Sequence, residues 1–178
     1  MALSYYGFML DVSRHFMPPE DVCRLLDAAA LCGVNTMHWH LTDDQGWRVE
    51  IRKYPLLTQV GSRRGATHFG RVSETENNCG YYTQEQIRSL VAYARERGIQ
   101  IIPEIDIPGH ASALLAAYPQ FGCRRTVVEA GEEETVVEAP YDYQVLTTGG
   151  IYPNLICAGK DEALRFLEDV LDELTELF

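Results

Sequence analysis

Gly98-Ile99-Gln100-Ile101-Ile102-Pro103-Glu104-Ile105-Asp106-Ile107-Pro108-Gly109-His110 is the stretch that decides the fold. A glycine closes a helical pattern, and within about two residues a nearly unbroken apolar run begins. Parallel strands covered on both faces read this way. Beyond residue 103 the run gives way to Glu104, Asp106 and His110 among prolines and a glycine, so charge gathers where a strand would end.

Upstream, Thr83-Gln84-Glu85-Gln86 announces the helix that feeds this strand: Thr83 can cap the third helical amide while Gln86 reaches back. Ile87, Leu90, Val91 and Ala94 form its apolar stripe. The same succession of signals occurs earlier. Residues 6–12 read as a strand, and Pro18-Pro19-Glu20-Asp21 supplies the proline and acids of a helix start. Val22, Leu25, Leu26 and Ala29 lie on one face of that helix, which runs to Gly33, and residues 36–41 follow as a short buried strand. Downstream, a last helix begins near Gly159-Lys160-Asp161 and carries Ala163, Phe166, Leu167, Val170, Leu171, Leu174, Leu177 and Phe178 at helical spacing.

The order βαβαβα predicts an α/β protein with a parallel sheet and right-handed crossovers. Helix-to-strand links take about two residues, whereas the links after the second and third strands take roughly 40 and 50, far above the usual two to six. The long loops therefore share the rim where such sheets bind ligands. In the last loop Thr126-Val127-Val128-Glu129-Ala130 recurs as Thr135-Val136-Val137-Glu138-Ala139, which predicts a surface hairpin around residues 131–134.

With 178 residues, 46% apolar and 23% charged, the chain is a folded domain rather than a disordered one. No apolar run approaches the roughly 18 residues of a membrane span. The 26 acidic against 15 basic residues give a net charge of -11, which repels a phosphate backbone and argues against a nucleic-acid partner. Cys23, Cys32, Cys79, Cys123 and Cys157 lack C-x-x-C spacing and fit neither a zinc ribbon nor a disulfide-dense scaffold. Most are expected to be unpaired thiols, with one bridge possible in an oxidising compartment. The first residues lack the pattern of a signal peptide, which leaves secreted, periplasmic and cytoplasmic locations equally open.

Three clusters lie at the strand ends on the long-loop rim: Asp11-Val12-Ser13-Arg14-His15, His38-Trp39-His40-Leu41-Thr42-Asp43-Asp44-Gln45-Gly46-Trp47-Arg48, and Pro103-Glu104-Ile105-Asp106-Ile107-Pro108-Gly109-His110. Core packing gives no reason to concentrate Arg, Asp, Glu and His there, so a site explains them better. These strings, with Asn154-Leu155-Ile156-Cys157-Ala158-Gly159 before the last helix, resemble in content and order the glycoside hydrolase family 20 β-N-acetylhexosaminidases.

The resemblance implies a (β/α)8 TIM barrel, of which residues 1–178 would be the first three βα units with long strand-to-helix loops. It implies hydrolysis of terminal non-reducing N-acetyl-β-hexosamine with retention, the sugar's own 2-acetamido oxygen attacking the anomeric carbon, so that no enzyme carboxylate serves as nucleophile. No cofactor is implied, and N-acetylhexosamine-terminated glycans are the expected partners. Arg14 matches the arginine that grips the hydroxyls at positions 3 and 4 of the sugar. Asp43 and His110 match a supporting pair that hydrogen-bonds toward the general acid, and Asp106 is a weaker substrate-binding candidate. Asp11, Asp44 and Glu104 read equally well as braces between strand ends, and Trp39 and Trp47 as packing residues.

Two other readings remain at this stage. Alternation puts His38 and His40 on one face of the second strand, as a zinc-dependent barrel hydrolase would need; the family resemblance accounts for the same string without a metal. A non-catalytic carbohydrate-binding or assembly module is the second. The family pattern continues into a fourth strand ending in an Asp-Glu pair, the aspartate orienting the acetamido group and the glutamate acting as acid. Asp161-Glu162 and Asp172-Glu173 do not substitute, because helical periodicity places them on the outer face of the last helix. The expectation is therefore an N-terminal part of a longer catalytic barrel, inactive alone and inclined to self-associate through open edges.

Overall fold

The computed structural model describes residues 4–66, 68–69, 72–73, 76–129 and 135–178. β1 (Gly7–Asp11) leads into α1 (Pro19–Leu31), β2 (Thr36–Asp43) and a short return strand, β3 (Gly46–Trp47). Then come α2 (Leu56–Gln59), β4 (Arg63–Arg64), β5 (His68–Phe69), β6 (Val72–Ser73), β7 (Asn78–Cys79) and α3 (Gln84–Glu96). β8 (Gln100–Ile105), α4 (Ser112–Ala117), a single 3-10 turn (Pro119–Phe121), β9 (Arg124–Glu129), β10 (Thr135–Pro140) and α5 (Asp161–Thr175) complete the order.

β2 is the central strand, pairing in parallel with β1 on one side and β8 on the other. Gly33 and Gly98, at φ of 75° and 72°, turn the chain from α1 into β2 and from α3 into β8. That left-handed conformation costs glycine little, which is why both helix-to-strand links are so short. Thr83 and Gln86 make the expected reciprocal cap: the Gln86 amide donates to Thr83 Oγ1 at 3.2 Å, and the Thr83 amide to Gln86 Oε1 at 2.9 Å.

The helices cover one face of the sheet. Met37, Trp39 and Leu41 point to that side and are fully buried, with Val22, Leu26 and Ala29 of α1 and Ile87, Leu90 and Ala94 of α3 also in the core. Each large apolar side chain buried there contributes about 1.5–3 kcal/mol relative to exposure. Trp39 meets the rings of Tyr82 and Phe178 at 4.7 and 6.4 Å between centroids. On the other face, Met9, His38 and Ile102 form one row across the three strands, with Met9 57% and Ile102 39% exposed.

The long loops carry structure that periodicity does not reveal. The first contains β3 to β7, in which β3 runs antiparallel to the end of β2. The second contains α4 and the strands β9 and β10, paired antiparallel as the repeat predicts; residues 130–134 lie outside the described residues. Two expectations need correction. α5 ends at Thr175, although Leu177 remains buried and Phe178 packs on the core. Glu173 is not on a solvated face: its carboxylate accepts from the amides of Arg52 and Lys53 at 2.7 and 2.9 Å and from Gln84 Nε2 at 2.6 Å. Sequence periodicity places a residue on its own helix but does not show the loop that docks there. Among the described residues no helix is long and apolar enough to cross a membrane.

Candidate functional site

The strand register sets the site. Asp11, His40 and Glu104 are direct neighbours across β1, β2 and β8, so three chemistry-bearing side chains share one level of one face. Just beyond it the register slips between His40 and Thr42, a bulge that re-aims the end of β2. Thr42 Oγ1 accepts from the Asp106 amide at 3.0 Å and ties the two strand ends together.

Asp43 is the hub. Its Oδ2 receives Arg14 Nη2 at 2.5 Å and His40 Nε2 at 2.9 Å; its Oδ1 receives the Asp44 amide at 2.7 Å and His110 Nδ1 at 3.2 Å. Burial alone would raise its pKa, but the His40 hydrogen bond, the Asp44 amide and the charges of Arg14 and His110 hold it below the usual carboxylate range. Two donors on each oxygen occupy its accepting directions.

Arg14 stands 32% exposed above this hub. Its Nε donates to Gln45 Oε1 at 2.9 Å and its Nη1 to Asp11 Oδ2 at 3.0 Å. The guanidinium plane is therefore fixed on three sides, while Nη2 keeps a second hydrogen outside these bonds. His40 is buried between two carboxylates, with Nε2 on Asp43 and Nδ1 2.8 Å from Glu104 Oε2. Burial pulls its pKa down, but the hydrogen bonds to Asp43 and Glu104, with the charge of Asp11, outweigh it and hold it up at about 9. His40 is thus an imidazolium, and its 3.0 Å approach to Arg14 Nη1 brings two donors together over shared acceptors.

His110 Nδ1 is shared between Asp44 Oδ2 at 3.1 Å and Asp43 Oδ1. Its Nε2 has no partner among the described residues, and the side chain is 37% exposed. Asp44 is a brace: its Oδ1 accepts from the Ser112 amide at 3.0 Å and from the Ser112 hydroxyl, and its backbone carbonyl accepts from the Leu146 amide. Asp106 has no side-chain hydrogen bond among the described residues, and burial together with the charge of Asp43 raises its pKa.

Arg14, Asp43 and His110 thus meet as one connected group, with Asp106 beside it. Trp39 and Trp47 are buried packing residues. The pairing of His38 with His40 as metal ligands does not hold. Both imidazoles spend a nitrogen on the same Glu104 oxygen, His38 Nε2 at 2.7 Å. The groups of ligand atoms that lie within 4.8 Å of one another, His40-Glu104-Asp106 and Asp43-Asp44-His110, leave His38 out. A protonated His40 would also have to lose a proton before binding a cation.

Sequence reasoning passed over Ser112 and left Arg48 among the rim charges. Arg48 is wholly buried: Nε donates to the carbonyl of Val12 (3.0 Å), Nη1 to those of Ser62 (2.8 Å) and Gly80 (3.0 Å), and Nη2 to Ser13 (2.9 Å) and Asn78 Oδ1 (2.8 Å). It clamps the segment after β1, which carries Arg14, to the first long loop.

A sequence model of the catalytic domain of glycosyl hydrolase family 20 matches residues 3–178. A beta-hexosaminidase of Porphyromonas gingivalis is 45% identical over 99% of the chain and 20% of its own length. A crystal structure of a beta-N-acetylhexosaminidase superposes with a TM-score of 0.83 at 40% identity, over 98% of this chain and 34% of that one. The exo-beta-N-acetylglucosaminidase of Vibrio harveyi, solved with N-acetylglucosamine, gives a TM-score of 0.76 at 37% identity, over 98% and 26%. The chain spans a fifth to about a third of the length of these relatives.

Proposed function

Because the chain belongs to glycosyl hydrolase family 20, we propose that residues 1–178 are the first three βα units of a (β/α)8 barrel that removes terminal N-acetyl-β-hexosamine from glycans with retention of configuration. The observation that supports this reading most is the continuous chain Arg14, Asp43, His110 at neighbouring strand ends. A pyranose edge presents vicinal hydroxyls, and the half-exposed guanidinium of Arg14, held flat by Asp11, Gln45 and Asp43, presents donors at fixed angles to receive them.

In this mechanism the substrate's acetamido oxygen is the nucleophile, and well-oriented intramolecular attack contributes roughly 7–11 kcal/mol. The protein's tasks are to orient the sugar and to deliver a proton to the leaving oxygen. Arg14 and Asp106 serve the first. For the second, Asp43 fixes the His110 ring through Nδ1, which leaves Nε2 to hydrogen-bond toward the acid; both are positioning residues. The acid and the carboxylate that orients the acetamido group are not assigned within residues 1–178, since Glu173 is spent on Arg52, Lys53 and Gln84.

The test has two arms. The 178-residue chain is expected to leave a chromogenic β-N-acetylglucosaminide intact; turnover that Arg14→Ala abolishes would show that the catalytic carboxylates lie within it. In a longer form that hydrolyses the substrate, Arg14→Ala is expected to lower kcat/KM about 100-fold or more, as the loss of two charge-assisted hydrogen bonds demands. Unchanged kcat/KM would overturn the assignment.

A further inference from the structure

Three residues fix the guanidinium of Arg14, and one of them reaches beyond the site. Asp11 and Asp43 take its terminal nitrogens, Nη1 at 3.0 Å and Nη2 at 2.5 Å, whereas Gln45 takes Nε at 2.9 Å. Two points fix an axis, and a third fixes the tilt of the plane about it. The other end of the same amide leaves the site: Gln45 Nε2 donates to the Thr148 carbonyl of the second long loop at 2.9 Å. We propose that Gln45 is a positioning residue for the hydrolysis, joining Arg14 to residues 148–152 so that the guanidinium takes its plane from that loop; the proposal rests on the reading of Arg14 as the sugar-binding arginine.

Chemistry decides which way round the amide lies. An arginine Nε only donates and a carbonyl only accepts, so Gln45 presents Oε1 to Arg14 and Nε2 to Thr148. A flipped amide would set like against like at both ends, and a carboxylate in its place would do so at Thr148. Gln45 is 1% exposed and sits in the turn between β2 and β3, where the neighbouring Gly46 carbonyl accepts from Ser13 Oγ at 2.7 Å. The side chain therefore has a fixed root, and bulk water does not compete for its two bonds.

The loop is braced on either side of Thr148. The Leu146 amide donates to the Asp44 carbonyl at 3.0 Å, and Asn154 Nδ2 donates at 2.8 Å to Ser112 Oγ, whose own hydroxyl is bonded to the Asp44 carboxylate. Residues 146–154 are thus pinned at both ends to the turn that carries Gln45. Between the pins, the Tyr152 hydroxyl lies 2.7 Å from Thr148 Oγ1, and a Cβ added to Gly150 would meet the Tyr152 ring at 3.0 Å. Tyr152 therefore sets the turn whose carbonyl Gln45 holds. Residues 148–151 are exposed, so a displacement of this turn from the solvent side reaches Arg14 through two hydrogen bonds.

Two measurements test the tie. In the 178-residue chain, NMR follows hydrogen exchange of the Arg14 Nε–H. Protection is expected in the parent, its loss in Gln45→Met, and a weakening of about two- to fivefold in Tyr152→Phe. In a longer form that hydrolyses the substrate, kcat/KM is compared for a chromogenic β-N-acetylglucosaminide and its 4-deoxy analogue, which lacks a hydroxyl that Arg14 would grip. Gln45→Met should shrink the parent's preference for the hydroxylated substrate about 10-fold, and Tyr152→Phe about two- to threefold. Gln45→Glu keeps an acceptor for Arg14 but opposes the Thr148 carbonyl, and should behave like Tyr152→Phe. Tyr152→Phe, which leaves the buried turn intact, keeps the test decisive where Gln45→Met does not fold. Unchanged preferences in the Gln45 and Tyr152 variants, beside a collapsed preference in Arg14→Ala, would overturn the proposal and leave the sugar-binding reading standing; an unchanged preference in Arg14→Ala would overturn both. An Nε–H that exchanges freely in the parent, or that Tyr152→Phe leaves untouched, would also overturn the proposal.

Discussion

Replacing His40 with asparagine tests whether a buried imidazolium holds the site together. In the folded protein its pKa rises from 6.5 to about 9. At about 1.4 kcal/mol per tenfold change in proton affinity, that climb is worth up to about 3 kcal/mol of folding stability. The folded state binds the proton more tightly, so the full contribution is present below pH 6.5 and disappears as the pH rises through 9. For a chain of this size the loss corresponds to a fall in Tm of roughly 6–12 °C. Urea midpoints of the parent and of His40→Asn, measured at pH 6 and pH 9, isolate the effect. The variant is less stable at both values because Asp43 and Glu104 lose their shared partner, but its midpoint should change far less between them. Equal pH dependence in the two proteins would show that His40 is not held as a cation.

Arg48→Lys should cost about 3 kcal/mol or more in a urea titration, because a single ammonium cannot reach the five oxygens that the buried guanidinium serves. Gly46→Ala would place a Cβ 2.5 Å from Arg48 Cζ, an atom that those same bonds prevent from moving, and melting should fall by several degrees. Gly109→Ala, where the added carbon meets nothing within 4 Å, should melt with the parent. Glu173→Ala should cost about 2–3 kcal/mol and speed hydrogen exchange specifically at the Arg52 and Lys53 amides that its carboxylate holds.

The parallel frame was legible because its signals are local: the apolar run at residues 99–105, the Thr83 and Gln86 cap, and a glycine at the end of each helix. Alternation correctly put His38 and His40 on one face, and the rim clusters pointed to the meeting of Arg14, Asp43 and His110. Charge alone, however, does not distinguish a ligand-binding group from a structural one. Arg48 and Asp44 are as polar as Arg14, yet Arg48 is spent on segments far apart in sequence, the Ser62 and Gly80 carbonyls among them, and the Asp44 carboxylate on Ser112 and His110. α4 escaped notice because Ser-Ala-Leu-Leu-Ala-Ala is too short to show a helical period and is almost entirely buried. β3 is two residues long and exists because β2 offers it an edge.

His110 adopts φ 48°, the left-handed region, where a side chain costs about 1–2 kcal/mol that glycine avoids. The ring's grip on Asp43 and Asp44 keeps the backbone there, and the same turn offers the Pro108 carbonyl to the Ile156 amide. The turn is therefore spring-loaded. Neutralising Asp44 would free more than one imidazole: the peptide would relax toward an ordinary conformation and carry the anchor of residue 156 with it.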